Sequence, residues 1–238
     1  MDFELITLFP EQTAAMAAIG VTGRALSSGS HRLRCWNPRD HADGPYRRVD
    51  DRPYGGGPGM VMLAEPLARC LAAIRAARAA VGKPSLPLIH LSPQGQRLDQ
   101  GRVRLLATGN GAILLCGRYE AIDQRFLDAE VDEEISIGDF IASGGELPAL
   151  LLVDAVVRLL PGTLNDPDSA LAESFSDSLL DHPHYTRPES FGGVAVPPVL
   201  LSGNHAEIAR WRRSQAEAAT ARKRPDLLAA VPDRPRRP

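Results

Sequence analysis

The chain has 238 residues, 44% hydrophobic and 24% charged, with 21 Gly and 20 Pro; this is ordinary globular usage for one or two domains and excludes a collagen, a coiled coil and a disordered tail protein. The formal net charge is −2, so no global basic field announces a polyanionic partner. The charge is unevenly spread: residues 119–154 carry ten acids against one Arg, and 210–238 carry nine Lys/Arg against three acids.

FELITLF (3–9) reads as a short strand ended by Pro10, with a helical pattern to about Ile19. Asp2 and Glu4 stand where a secretory signal needs positive charge, so no signal peptide is expected. LRCW (33–36) is a second strand candidate, and 39–59 is irregular, rich in Pro, Gly, Asp and Arg. Residues 64–80 place Leu67, Leu71 and Ile74 at helical spacing. LPLIHL (86–91) and AILLC (112–116) are continuous apolar strands, with a helix between them over roughly 98–107. Strand, helix, strand with fully apolar strands predicts an α/β fold on a parallel sheet with both faces covered. LPALLLVDAVVRLL (147–160) predicts a buried helix closed by Pro161-Gly162, too short and too charged to cross a bilayer.

Residues 163–178 are polar and turn-rich, the texture of an interdomain linker. The division expected is therefore a domain over 1–162, a linker over 163–178 and a small, mainly helical unit over 179–238. HAEIARWRRSQAEAATARKR is helical, with Asn204 as its cap and Glu207 in capping-box position. Cys35, Cys70 and Cys116 are far apart and share no metal-site spacing, so neither a disulfide framework nor a zinc site follows, and a soluble protein of the reducing cytosol is expected.

Three glycine-bearing loops stand out: Ser92–Gly95, Gly117–Glu120 and Ile137–Pro148, the first two directly after apolar strands. Ligands bind at the carboxyl ends of parallel strands in open α/β sheets, and glycines let the backbone approach them closely. Each loop alone is more economically a tight turn; together they predict one pocket. It is not a usual phosphate cradle, because no GxxxxGK[ST] or GxGxxG follows a strand. Asp139, Glu120 and Glu146 would repel phosphate and suit a cationic ligand, although such acids are commonly just solvated loop residues.

VDDRPYGGGPGM (49–60), LSPQG (91–95), LLCGRYEAID (114–123), DEEISIGDFIASGGELPAL (132–150), LLDHPHYTRPE (179–189) and VPPVLLSGNHAEIARWR (196–212) resemble the bacterial tRNA (guanine-N1)-methyltransferases, the TrmD family of the SPOUT superfamily. The match runs in register from LFPE (8–11) to about Arg224. The resemblance implies a parallel sheet with a deep trefoil knot, a homodimer with the active site at the subunit interface, and S-adenosyl-L-methionine as methyl donor. It also implies tRNA as substrate, methylated at N1 of the guanosine immediately 3′ of the anticodon. The cofactor's sulfonium agrees with an acidic, non-phosphate pocket.

Carried onto this sequence, the resemblance places the cofactor on Leu91, Ser92, Pro93, Gly117, Tyr119, Glu120, Ile137, Gly138, Asp139, Phe140, Ile141, Ala142, Gly144, Gly145 and Pro148. Ala121 stands where the family usually has Gly, which matters only if that position needs positive φ. The catalytic pair implied is Arg158, to stabilise charge on guanine O6, and Glu173, to take the N1 proton. By itself Arg158 reads as the i,i+4 partner of Asp154. Glu173 departs from the family's Asp before Ser-Phe, so Asp177 and Asp168 are alternative carboxylates. RNA contacts are expected from Arg52, His184, Tyr185, Arg187, Arg210, Arg212, Arg213, Arg222 and Lys223; Tyr185, between His184 and Arg187, offers a flat face beside cations, suited to an extruded base, whereas most of the helix arginines could equally form a solvated face. The family trait of a divalent cation, Mg2+, has no metal motif in this sequence. Two rivals remain: a SPOUT enzyme acting on another RNA such as ribosomal RNA, and a non-catalytic cofactor-binding RNA-binding protein.

Overall fold

The computed structural model describes residues 1–164 and 173–229. Two compact units divide the chain, Met1–Asn165 and Asp166–Pro238.

The N-terminal unit is built on a five-stranded sheet. In chain order its strands are β1 (Asp2–Ile6), β2 (Arg32–Trp36), β5 (Leu88–Arg97), β6 (Gly111–Leu115) and β8 (Glu133–Ser136), and their order in space is β2-β1-β6-β5-β8. Every pairing in it is parallel. The apolar strand runs 3–6, 88–91 and 112–115 form its middle, as expected of strands covered on both faces. Successive side chains point to opposite faces. Phe3, Leu5, Ala112, Leu114 and Ile89 join one core with α2 (Gly20–Ser27), α4 (Gln100–Ala107) and α6 (Glu146–Val157). Ile6, Ile113, Leu115 and Leu88 join the other with α3 (Ala64–Ala79) and α5 (Gln124–Glu130). A small mixed sheet, β3 (Asp50–Asp51), β4 (Val61–Met62) and β7 (Ala121–Ile122), adds to the unit. Helix α1 spans Pro10–Ala17.

Asp2 and Glu4 are buried in β1 rather than solvated. Arg78 Nη1 lies 3.2 Å from Asp2 and 3.3 Å from Glu4, and Lys83 Nζ lies 2.8 Å from Asp2. Burial pushes the Asp2 carboxyl up, but Lys83, Arg32 and Arg78 outweigh it and hold it well below the usual range.

Two expectations are corrected. The 147–160 segment is not buried all round: Leu147 is 60% and Leu151 53% exposed, a stripe on the outer face of α6. The loop at Ser92–Gly95 lies within one long strand, β5, as an excursion: Leu91 and Gln96 both align with Ile135 of β8. No helix among the described residues is long and apolar enough to cross a membrane.

The C-terminal unit has a two-stranded hairpin, β9 (Ser190–Phe191) with β10 (Val194–Ala195), turned by Gly192-Gly193, both left-handed as a tight hairpin turn requires. Helices α7 (Pro198–Leu201) and α8 (His205–Lys223) come next. Asn204 caps α8 by accepting from the Glu207 N–H at 3.3 Å, while its own N–H donates to Ser202 Oγ rather than to Glu207, so only half of the capping box forms. Residues 173–178, expected as linker, are knitted onto residues 179–181 by two hydrogen bonds. Phe175 N donates to Leu179 O at 2.7 Å, and Asp181 N donates to Ser174 Oγ at 2.9 Å.

Candidate functional site

Strands β6, β5 and β8 are neighbours, so their carboxyl ends present the three glycine loops side by side. They enclose a cavity of about 530 Å³. The third loop leaves β8, a strand not expected from the sequence. Gly95 packs on the β8 backbone, where any side chain would overlap Glu134. Gly145 N–H donates to Gly117 O at 2.9 Å, joining the second and third loops. A side-chain carbon on Gly145 would sit 2.6 Å from Cys116 Cα. Gly138 has φ 148° and Tyr119 φ 61°, the latter a left-handed non-glycine residue at the cavity wall. Tyr119 Oη accepts from Arg39 at 3.2 Å, and burial pushes its phenol up.

Leu91, Ser92, Pro93, Gly117, Tyr119, Glu120, Ile137, Gly138, Phe140, Ile141, Ala142, Gly144, Gly145 and Pro148 all line this cavity. Asp139 does not: its side chain is 92% exposed and lies 3.9 Å from Arg97. The acid supply is also different from the one expected. Glu146 is buried at 4% exposure and turned away from the cavity. Thr7 Oγ1 donates to it at 2.8 Å, as does Arg118 Nε at 2.8 Å, so its charge is matched inside the protein. The carboxylates that do line the cavity are Glu120 and Glu134. Ala121 lies in β7 opposite Val61 and is not left-handed, so the missing glycine costs nothing there.

His90, Arg118, Glu134 and Ser136 also line the cavity and were missed in the sequence. Arg118 Nη1 donates to Ser143 O at 3.2 Å, gripping the third loop just before Gly144. His90 is buried with Nδ1 3.4 Å from Glu134. Burial holds its pKa down, with Glu134 pulling the other way. The one legible signal was a polar residue interrupting the apolar run just before LSPQG.

Arg158 is half-buried at the C-cap of α6. The Asp154 carboxylate accepts from Thr22 Oγ1 at 2.6 Å. Glu173 is half-buried in the C-terminal unit, where its carbonyl accepts from Ser176 N at 3.2 Å. Asp177 is exposed, 3.5 Å from Arg213; Asp168 lies outside the described residues. Arg52, His184, Tyr185, Arg187, Arg210, Arg212, Arg213, Arg222 and Lys223 are all exposed. Arg213 is already engaged by Glu217 at 2.8 Å, and His184 Nε2 lies 2.9 Å from Asp181 Oδ2. Asp181, His182 and His184 bring one ligand atom each within 4.8 Å of one another, a group not anticipated from the sequence. Two imidazoles and a carboxylate suit a d-block ion better than Mg2+, which prefers oxygen ligands.

The fold and cavity define a class: an α/β protein whose ligand site is assembled from glycine loops at adjacent parallel strand ends. The family described as tRNA (Guanine-1)-methyltransferase TrmD matches residues 1–230, and the chain belongs to it. Among its relatives is a tRNA (guanine-N(1)-)-methyltransferase of Methylibium petroleiphilum, 61% identical over 97% of this chain and 91% of that protein. Proteins of the same name from Paracidovorax citrulli (60% identical, 97% and 92% covered) and Burkholderia mallei (58%, 96% and 87%) are also similar.

Proposed function

We propose that this protein is an S-adenosyl-L-methionine-dependent tRNA (guanine-N1)-methyltransferase, acting on the guanosine immediately 3′ of the anticodon. The observation that carries this reading is the three-loop cavity of a chain that belongs to the TrmD family. The residues present fit the cofactor. Gly117, Gly144 and Gly145 keep the cavity wall free of side chains, and Glu120 and Glu134 suit a sulfonium. When bound, the cofactor supplies an electrophilic methyl group. Glu173 takes the N1 proton, and Arg158 holds the negative charge that builds on O6. No step is assigned to Mg2+. The relatives' names do not favour a ribosomal RNA substrate. A single-turnover assay on tRNA transcripts tests the reading: label should enter a transcript with the target guanosine and not one with adenosine there. Equal labelling of both, or none of either, would overturn it.

Gly117 offers the cleanest test of the cavity. The three atoms nearest to a side-chain carbon there are His90 Nε2 at 3.3 Å and Ile122 Cδ1 and Cγ1 at 3.5 and 3.8 Å, all in side chains, so Gly117→Val is expected to fold and to project into the ligand's space. Cofactor affinity by calorimetry should fall at least about tenfold. Gly145→Val is the poorer test, because it collides with backbone.

The finer architecture proposed is the trefoil-knotted domain over 1–162, the linker over 163–178 and a tRNA-binding domain over 179–238, in a cytoplasmic homodimer. Support for the homodimer comes from the exposed Leu147 and Leu151 and from Tyr54, 99% exposed beside Arg52 on the glycine-rich loop. Sedimentation at micromolar concentration should give a dimer; a fully active monomer would refute it.

A further inference from the structure

A second cavity, of about 490 Å³, lies wholly within the C-terminal unit, a size typical of small-ligand sites (about 300–1,000 Å³). Its walls include Tyr185 and Trp211, whose ring centroids are 6.3 Å apart with planes inclined by 54°. The two rings therefore do not stack on each other, and both line the cavity. Half-buried Leu200 and Ile208 contribute apolar surface. At the rim stand Arg187 and Arg212, both exposed. Among the described residues neither has a hydrogen-bond or ion-pair partner, unlike nearby Arg213 and Arg224, which are paired to Glu217 and Asp226. Glu189 is the one glutamate or aspartate in the lining.

Flat aromatic faces flanked by uncommitted arginines are the chemistry of single-stranded nucleic acid: bases stack on the rings and phosphates pair with the guanidinium groups. A purely apolar partner would leave both cations desolvated without counter-charge. We propose that this cavity holds an unpaired RNA nucleobase against Tyr185 and Trp211, with the adjoining phosphates on Arg187 and Arg212. Glu189 accepts a hydrogen bond from a base N–H. This deepens the RNA-substrate reading and rests on it; Trp211 and Glu189 are its new members.

The test uses the full chain and a fluorescein-labelled tetraribonucleotide of mixed sequence, beside its abasic counterpart. The base-bearing RNA should bind more tightly by anisotropy and quench indole emission, whereas the abasic one should not quench. Trp211→Ala should weaken the base-bearing RNA about five- to a hundredfold, the scale of one stacked base. It should leave the abasic affinity unchanged, which also shows that the unit is folded, and Trp211→Phe should restore most of the loss. Equal affinity for the two RNAs in the parent protein overturns the proposal. So does a base preference that survives Trp211→Ala. If Trp211→Ala fails to fold, quenching of the parent protein by the abasic RNA alone decides against it. Methyl transfer to tRNA is measured on the same preparations: activity without base-dependent binding removes this cavity and leaves the function standing.

Discussion

Glu173→Gln should lower single-turnover methyl transfer to tRNA by roughly two to four orders of magnitude, the scale of a lost general base. Guanine N1 carries a proton at neutral pH and attacks poorly until it is removed. An amide keeps the volume of the carboxylate but cannot take that proton, so Gln should behave like Ala. Glu173→Asp should retain appreciable activity, since it only shortens the same acid by one methylene. Cofactor affinity should barely move in any of the three variants, because the cavity lining lies between residues 90 and 148. The surrounding turn is held by backbone contacts that the substitution leaves in place, such as Phe175 N to Leu179 O at 2.7 Å. Asp177→Asn is the control: that carboxylate is exposed and already near Arg213. Near-parental activity in Glu173→Gln would remove Glu173 as the base, and loss of activity in Asp177→Asn instead would name its replacement.

The middle of the sheet was legible because its strands are mainly apolar runs, broken within residues 3–6, 88–91 and 112–115 only by Glu4 and His90, as expected of strands buried on both faces. Its edge was not. β8 is Glu-Glu-Ile-Ser, and only Ile135 and Ser136 are buried, so nothing in its pattern distinguishes it from the acidic loop around it. Helix α2 carries Gly20 and Gly23, which weaken any helical signal. Gly23 is there because a side chain would run into the carbonyl of Ala18, a constraint invisible in one dimension.

The cavity was legible through its glycines, since close backbone approach leaves a mark in the sequence. The roles of its acids were not. Asp139 and Glu146 look alike as loop carboxylates, yet one is solvated and the other is buried against a hydroxyl and one cation. What separates them is a partner 139 residues away, Thr7, and another 28 away, Arg118. Spacing reports neighbours along a helix or strand, and carries no information about which distant donor a carboxylate will meet.

That buried carboxylate sets the second large expectation. Glu146→Ala should destabilise the N-terminal unit by about 3 kcal/mol, toward the low end of the range for breaking a buried ion pair. The low end applies because the Arg118 side chain is 26% exposed and can recover some water. Two donors lose their acceptor at once, Thr7 Oγ1 at 2.8 Å and Arg118 Nε at 2.8 Å, and the ion-pair contact of Arg118 Nη2 at 2.8 Å goes with them. Arg118 also holds the Ser143 carbonyl and lies 4.6 Å from the Phe9 ring centroid, so its displacement should loosen the loop that ends at Gly145. Cofactor affinity is therefore expected to fall together with stability. The double variant Glu146→Leu with Arg118→Leu separates the two effects. Replacing both members of a buried pair by apolar side chains is often close to neutral, so the urea midpoint should recover. Affinity should not, because the Ser143 carbonyl still lacks its donor. A double-mutant cycle in urea should give a coupling energy of at least about 1 kcal/mol. If the two single substitutions simply add, Glu146 and Arg118 act independently, and the cofactor loop is held by its glycine contacts alone.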